Sequence, residues 1–181
     1  MASITRISMF LILIILSLST KQHSMQVNGD KNLIDKVCKK IPFPLWKICY
    51  KCISFNPKGW SVDATGLAAI SVNCSLNEAQ RVSEIIFNFG LLHHNDSTIT
   101  DACKKCTGFY NGAKRALTVS LENVQGRRYK GAALLLIAAD VFHTECVKSL
   151  SKINKPTTLI VALNTFQSYL DSATHVVHEF F

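Results

Sequence analysis

Four long segments of the chain carry apolar residues at steps of three and four, the spacing of one face of an α-helix. The segments cover residues 63–92, 97–125, 128–150 and 157–181, and short polar, glycine-containing or proline-containing breaks separate them. No segment alternates apolar and polar residues with the period of two that is typical of a strand. Amphipathic helices with short connections form antiparallel bundles, so we predict an all-α fold, an antiparallel four-helix bundle.

The apolar stripes also predict the core. The second stripe is the most regular and comprises Ile99, Cys103, Cys106, Phe109, Tyr110, Ala113, Leu117, Leu121 and Val124. In the last two segments the same spacing places Ile137 and Ile160 on the core side. The apolar run 132–139 is too short to span a membrane and fits a buried helix. Asp96 or Ser97 is the expected N-cap of the second helix, because either side chain can accept hydrogen bonds from the first turn.

A short helical hairpin is predicted before the bundle. Pro42, Pro44 and Pro57 interrupt the apolar pieces of this region. Proline lacks a backbone donor and restricts the residue before it, so no long helix can pass through. We predict the two arms of the hairpin at residues 33–40 and 45–55.

The N-terminus has the pattern of a secretory signal peptide. Arg6 supplies a positive charge, and a largely apolar run follows from Ile7 to Leu18. A membrane span needs roughly 20 apolar residues, so a cleaved signal is favoured over a signal anchor. We expect three parts: the leader at 1–24, the hairpin at 25–60 and the bundle at 61–181, the last two forming one domain over 25–181.

The charge balance narrows the range of partners. Without residues 1–24 the chain keeps 18 basic and 12 acidic side chains, a formal charge of +6. Positive charge attracts polyanions. A secreted chain does not meet nucleic acid, so anionic pectin or an acidic patch on an extracellular enzyme is the better partner. After signal cleavage we expect no membrane association, and we expect a monomer.

Seven cysteines follow the leader, namely Cys38, Cys49, Cys52, Cys74, Cys103, Cys106 and Cys146. In an oxidising compartment they predict disulfides, and the odd number leaves at least one thiol free or paired with another chain. Two sequons are candidate N-glycosylation sites. Asn95 begins Asn95-Asp96-Ser97 in a polar, loop-like stretch, whereas Asn73 begins Asn73-Cys74-Ser75 inside a predicted helix.

Two cysteine pairs, Cys49 with Cys52 and Cys103 with Cys106, have the C-x-x-C spacing of zinc and redox sites. The pairs lie far apart, in helical patterns, and the strand–helix alternation of a thioredoxin-like protein is absent. Structural disulfides are therefore the preferred interpretation.

The histidines and the other polar residues do not form a recognisable catalytic set. The adjacent pair at 93 and 94 and the pair at 175 and 178 fit exposed positions better than metal sites. His143-Thr144-Glu145 begins a zinc deaminase signature, but the required downstream P-C-x-x-C is missing. A serine-nucleophile elbow and a phosphate-binding glycine loop are also missing. We expect no catalytic residue, cofactor or metal.

Taken together, the cysteines and their neighbours resemble the plant invertase/pectin methylesterase inhibitor family, in particular its pollen-allergen-like invertase inhibitors. The resemblance covers nearly all of the chain after the leader and rests on Val37-Cys38-Lys39-Lys40, Cys49 followed by Pro57, Gly66 to Asn73, Cys106-x-x-x-Tyr110-x-x-Ala113, and Cys146. It implies the disulfides Cys38–Cys49 and Cys106–Cys146. Cys52, Cys74 and Cys103 are additional, and the sequence does not decide whether two of them pair.

The resemblance implies a function as well as a fold. A secreted inhibitor of plant invertase (β-fructofuranosidase) is expected, acting in the cell wall and apoplast or in the vacuole. One face of the bundle would cover the active-site cleft of that enzyme, and the exposed faces of helices 63–92 and 97–125 are the first surfaces to consider. The alternatives are an inhibitor of pectin methylesterase and a non-inhibitory, allergen-like binding module.

Overall fold

The computed structural model describes residues 31–180, with side chains from Leu33 onward. The predicted signal peptide and residues 25–30 lie outside the described residues. Six helices lie within these described residues: α1 Lys31–Cys38, α2 Leu45–Ser54, α3 Ala64–Leu92, α4 Ser97–Gln125, α5 Tyr129–Ser149 and α6 Thr157–His178. Within residues 31–180 there is no strand. The first two helices form the predicted hairpin, and the last four form the bundle.

Aspartate residues cap the N-termini of two of the long helices. The Asp63 carboxylate accepts a hydrogen bond from the Gly66 backbone N–H at 2.8 Å, at the start of α3. The Asp96 carboxylate accepts from Thr98 and Ile99 at the start of α4, so Asp96 is the N-cap and Ser97 is the first helical residue. A short carboxylate satisfies backbone donors that have no partner inside the helix.

The four bundle helices pack in a closed ring. Helix α3 contacts α4 and α6, and α5 contacts the same two helices from the opposite corner. The core between them contains fully buried Tyr110, Phe166, Leu117 and Leu136. Helices α4 and α5 approach closely because position 112 is glycine: a Cβ there would lie 2.8 Å from the Phe142 ring. The hairpin lies outside this ring, with α2 against α3 and α6.

Three disulfides join the described helices. Cys38 is bonded to Cys49 inside the hairpin, and Cys106 is bonded to Cys146 between α4 and α5. These are the pairs that the family resemblance implies. The third disulfide, Cys52–Cys74, ties α2 to α3, and Cys103 is a buried free thiol. The structure thus pairs two of the three additional cysteines.

Two predicted core positions are wrong. Ile137 is 50% exposed and Ile160 is 41% exposed. The apolar run 132–139 is also not buried throughout, because Leu134 is 68% exposed. The cause is that residues 131–139 of α5 and 159–163 of α6 are apolar on every side of the helix. A periodicity argument can choose a core face only where polar residues mark the opposite face.

The predicted helix ends need small corrections. Helix α1 ends at Cys38 instead of residue 40, α2 ends at Ser54 instead of residue 55, and α6 ends at His178 instead of residue 181. Each difference is within the last turn, where hydrogen bonding frays and the apolar pattern carries little information.

Candidate functional site

The outer face of α5 is an exposed apolar surface on the bundle. Leu134, Ile137 and Val141 follow one another at helical spacing and are 68%, 50% and 55% exposed. No charged residue occurs between Lys130 and Asp140. Exposed apolar residues that cluster on one face, instead of being scattered singly, mark an interaction surface.

Polar groups border this face where α5 meets α6. The Gln167 side-chain amide donates to Asp140 at 2.9 Å and to Asp171 at 2.8 Å. Burial raises the pKa of Asp171, the hydrogen bond from Gln167 opposes that shift, and the nearby Asp140 carboxylate adds to it. Near the far end of α5, Lys148 and Glu145 form an exposed ion pair at 2.6 Å. The apolar face therefore has a polar border, the pattern of many protein–protein interfaces.

A buried hydrogen bond supports α5 from the core side. The Tyr110 hydroxyl on α4 lies 2.9 Å from His143 Nδ1 on α5. The Phe166 ring packs on both, with centroid distances of 5.3 Å to Tyr110 and 5.2 Å to His143. Burial lowers the pKa of His143, and the smaller effect of the Asp140 carboxylate opposes this. The lowered pKa favours the neutral imidazole, and His143 is thus the buried hydrogen-bond partner of the tyrosine in the Cys106–Tyr110–Ala113 motif.

The cysteines and histidines considered for metal or redox chemistry make structural contacts instead. Cys49 and Cys52 bond to different partners, and so do not form a dithiol. His93 Nδ1 lies 2.9 Å from the Phe89 carbonyl oxygen. His94 Nδ1 lies 3.2 Å from that of Leu91, so both rings are held against the last turn of α3.

Other candidate groups are equally dispersed. His143 is buried in the core, whereas Glu145 forms an ion pair with Lys148 at the surface. The two residues of the H-x-E pattern therefore do not share a site. Within residues 31–180, no cluster of three or more His, Cys, Asp or Glu side chains is arranged to hold a metal ion. No described helix is long and apolar enough to cross a membrane.

The two sequons have different surroundings. Asn95 is exposed in the turn between α3 and α4. Asn73 is half-buried in the middle of α3, next to the disulfide-bonded Cys74.

A sequence model of the family "Plant invertase/pectin methylesterase inhibitor" matches residues 32–165, which is most of the chain. The chain belongs to this family. The resemblance recognised from the cysteine and tyrosine motifs is therefore confirmed.

Curated relatives of this family member come from plants. A protein named "Putative invertase inhibitor" from Platanus orientalis is 24% identical over 112 residues, covering 60% of this chain and 65% of that protein. The chain thus spans about two thirds of this relative's length. A protein named "Cell wall / vacuolar inhibitor of fructosidase 2" from Arabidopsis thaliana is 21% identical over 137 residues, covering 76% of this chain and 75% of that protein.

Solved structures show the same fold. A crystal structure of a pectin methylesterase inhibitor from Arabidopsis thaliana matches with a TM-score of 0.61 at 14% identity, covering 84% of this chain and 98% of that one. A mutant form of a pectin methylesterase inhibitor from Arabidopsis matches with a TM-score of 0.65 at 16% identity, covering 80% and 95%. The predicted all-α, disulfide-stapled bundle is confirmed.

The sequence analysis of this family member did not single out the outer face of α5. It favoured the exposed faces of helices 63–92 and 97–125, whereas α5 carries more large exposed apolar residues than any other helix in the described part of the chain. The available signal was the absence of charge between Lys130 and Asp140. A helical stretch without charged residues is typical both of a buried helix and of an interaction surface, and the sequence does not distinguish the two cases.

Proposed function

We propose that the protein is a secreted inhibitor of a plant carbohydrate enzyme, with invertase as the first target, and that it acts by contact instead of by catalysis. The observation that carries the proposal is the exposed, uncharged outer face of α5 on a disulfide-stapled bundle. The family description and the names of the sequence relatives support it.

A rigid helical face suits inhibition by occlusion. The Cys106–Cys146 disulfide and the Tyr110–His143 hydrogen bond hold α5 from the core side. Leu134, Ile137 and Val141 then meet a partner without a large loss of backbone entropy. Burial of these side chains supplies affinity, while the polar border at Asp140 and Gln167 favours one orientation.

Sequence similarity favours invertase over pectin methylesterase as the target. The relatives found by sequence, at 21% and 24% identity, carry names that refer to invertase or fructosidase. The pectin methylesterase inhibitors were matched by structure, at 14% and 16% identity, and such likeness speaks for the fold alone. Pectin methylesterase is therefore the second candidate, and a non-inhibitory binding module is the third.

The proposed location is the cell wall and apoplast, or the vacuole. Three disulfides suit an oxidising compartment. The leader predicted at residues 1–24 supports entry into the secretory pathway. The name of the Arabidopsis relative refers to both the cell wall and the vacuole. After cleavage we propose a monomer that is not anchored in a membrane.

A side-by-side inhibition assay tests the proposal. Oxidised protein covering residues 25–181 is mixed, at roughly micromolar concentration, with cell-wall invertase, vacuolar invertase and pectin methylesterase at mildly acidic pH. We expect reversible inhibition of an invertase and a weaker effect, or none, on pectin methylesterase. The reverse preference would reassign the target to the second candidate. Correctly folded protein that slows none of the three would overturn the inhibitor function and favour the binding module.

A further inference from the structure

The turn between α3 and α4 presents a sequon at the surface. Asn95 and Ser97 are both exposed. Asp96 between them is held in place: its backbone N–H donates to the His93 carbonyl at 2.9 Å, and its carboxylate caps α4. The acceptor asparagine thus projects from an ordered turn instead of from a helix interior.

The other sequon is enclosed by the fold. Ser75, its hydroxyl residue, is fully buried and donates to the Ser71 carbonyl at 3.3 Å. Cys74, its central residue, is bonded to Cys52 on α2. The half-buried Asn73 lines two clefts that Asn56 also lines, so the chain after α2 packs beside it. An N-glycan is bulky and belongs on the surface, and Asn73 does not offer that position.

The last turns of α3, immediately before the exposed sequon, carry large apolar side chains. Phe87 and Leu91 are each 56% exposed, and Leu92 is 79% exposed. We call these three residues the apolar end of α3. Phe87 and Leu91 line a cleft of about 350 Å³ beside α4, and Leu92 lines one of about 540 Å³ beside the start of α6. Uncovered clusters of this kind favour aggregation.

We infer that Asn95 carries an N-linked glycan, that Asn73 carries none, and that the inner sugars of the glycan cover the apolar end of α3. The inference rests on entry into the secretory pathway, which the proposed function also requires. The apolar faces of the sugar rings would lie on Leu91 and Leu92, while their hydroxyl groups remain in water. His94 and Lys104, which line the smaller cleft, offer hydrogen-bond partners to those hydroxyls.

Transfer of the glycan to Asn95 forms one bond and breaks another. The donor is an oligosaccharide linked to a lipid through pyrophosphate. The Asn95 side-chain nitrogen forms a bond to C1 of the first sugar and loses one proton. The bond between C1 and the pyrophosphate oxygen breaks, and the lipid pyrophosphate leaves.

Site occupancy is tested on the full chain secreted from plant cells. Intact mass is measured for the wild type, Asn95→Gln and Asn73→Gln, before and after treatment with an N-glycan-releasing amidase. We expect one glycan on the wild type and on Asn73→Gln, and none on Asn95→Gln. A secreted wild type without a glycan, or with one on Asn73, overturns the inference and leaves the proposed function intact. A glycosylated chain that inhibits no enzyme overturns only the proposed function.

Coverage is tested with an apolar fluorescent dye. Dye binding is compared for the glycosylated wild type and for the same protein after enzymatic release of the glycan, which leaves the fold in place. We expect release to increase dye binding several-fold. The increase should vanish in a Leu91→Gln/Leu92→Gln variant and persist in Leu134→Gln, a matched change on α5. An unchanged signal on release, or the same increase in all variants, would show that the glycan does not cover this end.

Discussion

At the scale of single residues, the buried pair Tyr110 and His143 shows why a motif residue is where it is. The two side chains come from different helices and share a 2.9 Å hydrogen bond. Buried polar atoms are tolerated when they are paired, and no side-chain nitrogen or oxygen buried among the described residues lacks a partner. The sequence marks Tyr110 as part of a motif, but it does not reveal His143 as its partner, 33 positions away.

Replacing Tyr110 with phenylalanine keeps the ring and removes the hydroxyl. We expect Tyr110→Phe to lower the free energy of unfolding by about 1–3 kcal/mol, because His143 Nδ1 remains buried without a partner. Urea unfolding measures the loss. Tyr169→Phe is the matched control, since the half-buried Tyr169 is not part of this pair, and it should cost distinctly less. Equal losses in both variants would contradict a special contribution from the buried pair.

The buried His143 side chain should also make the free energy of unfolding depend on pH. Burial lowers its pKa below the ordinary value of 6.5. As pH falls through 6.5, the unfolded chain binds a proton that the native chain does not. The free energy of unfolding therefore falls as pH falls, by at most about 1.4 kcal/mol per pH unit from this group. Asp140 weakens the effect, since its carboxylate favours the charged imidazole.

The measurement is urea unfolding at several pH values between 7.5 and 5.5. We expect His143→Gln to be less stable than the wild type at pH 7.5 but to show a flatter pH dependence over this range. His94→Gln, at an exposed position, should keep the wild-type slope. A slope that His143→Gln leaves unchanged would mean that another group is responsible.

At the scale of helices, the sequence predicts where a helix occurs better than it predicts which side of that helix faces the core. The six helices were predictable because their apolar spacing is regular and Asp96 and the prolines mark their limits. The exposure of Ile137 and Ile160 was not predictable, because apolar residues also occupy the other side of their helices. The Cys52–Cys74 pairing was not predictable either, since cysteine spacing leaves several pairings open.

The Cys52–Cys74 disulfide has a distinct mechanical role. Of the three disulfides among the described residues, it joins the hairpin to the bundle, whereas the others lie within the hairpin or between α4 and α5. Its sequence separation is 22 residues, for which chain entropy gives roughly 3 kcal/mol. We expect Cys52→Ala/Cys74→Ala to lose about that much stability and to expose residues 31–60 to proteolysis before the bundle.

Limited proteolysis with mass mapping, together with urea unfolding, measures both effects. Cys103→Ala is the control, because it changes a buried cysteine that is not bonded. A double variant in which hairpin and bundle are cleaved at the same rate would refute the view that this disulfide anchors the hairpin.

At the scale of the whole molecule, two of the described helices each carry three or more large exposed apolar residues. The apolar end of α3 lies beside the sequon at Asn95, and the outer face of α5 lies far from it in sequence. If a glycan covers the first of these surfaces, the second remains open to a protein partner. The candidate site could not be located from sequence because surface exposure depends on which helices become neighbours, and that is a property of the assembled bundle.

The outer face of α5 therefore makes the sharpest prediction. A variant with Leu134→Gln, Ile137→Gln and Val141→Gln should keep its fold, because glutamine is a good helix former and the three positions are exposed. It should lose inhibition at least tenfold, since a few central residues carry most of the binding energy of an interface and a total loss of about 1.4 kcal/mol corresponds to tenfold. The inhibition constant against the responsive enzyme measures this.

The control is Leu92→Gln/Val161→Gln, which makes the same kind of change at exposed positions on α3 and α6. It should inhibit like the wild type if the contact is made by α5. Circular dichroism and urea unfolding establish that both variants are folded. A folded α5 variant with full inhibition would exclude this face as the contact. Loss of inhibition in the control alone would move the contact to the end of the bundle where α3 finishes and α6 begins, because Leu92 and the start of α6 line the same cleft there.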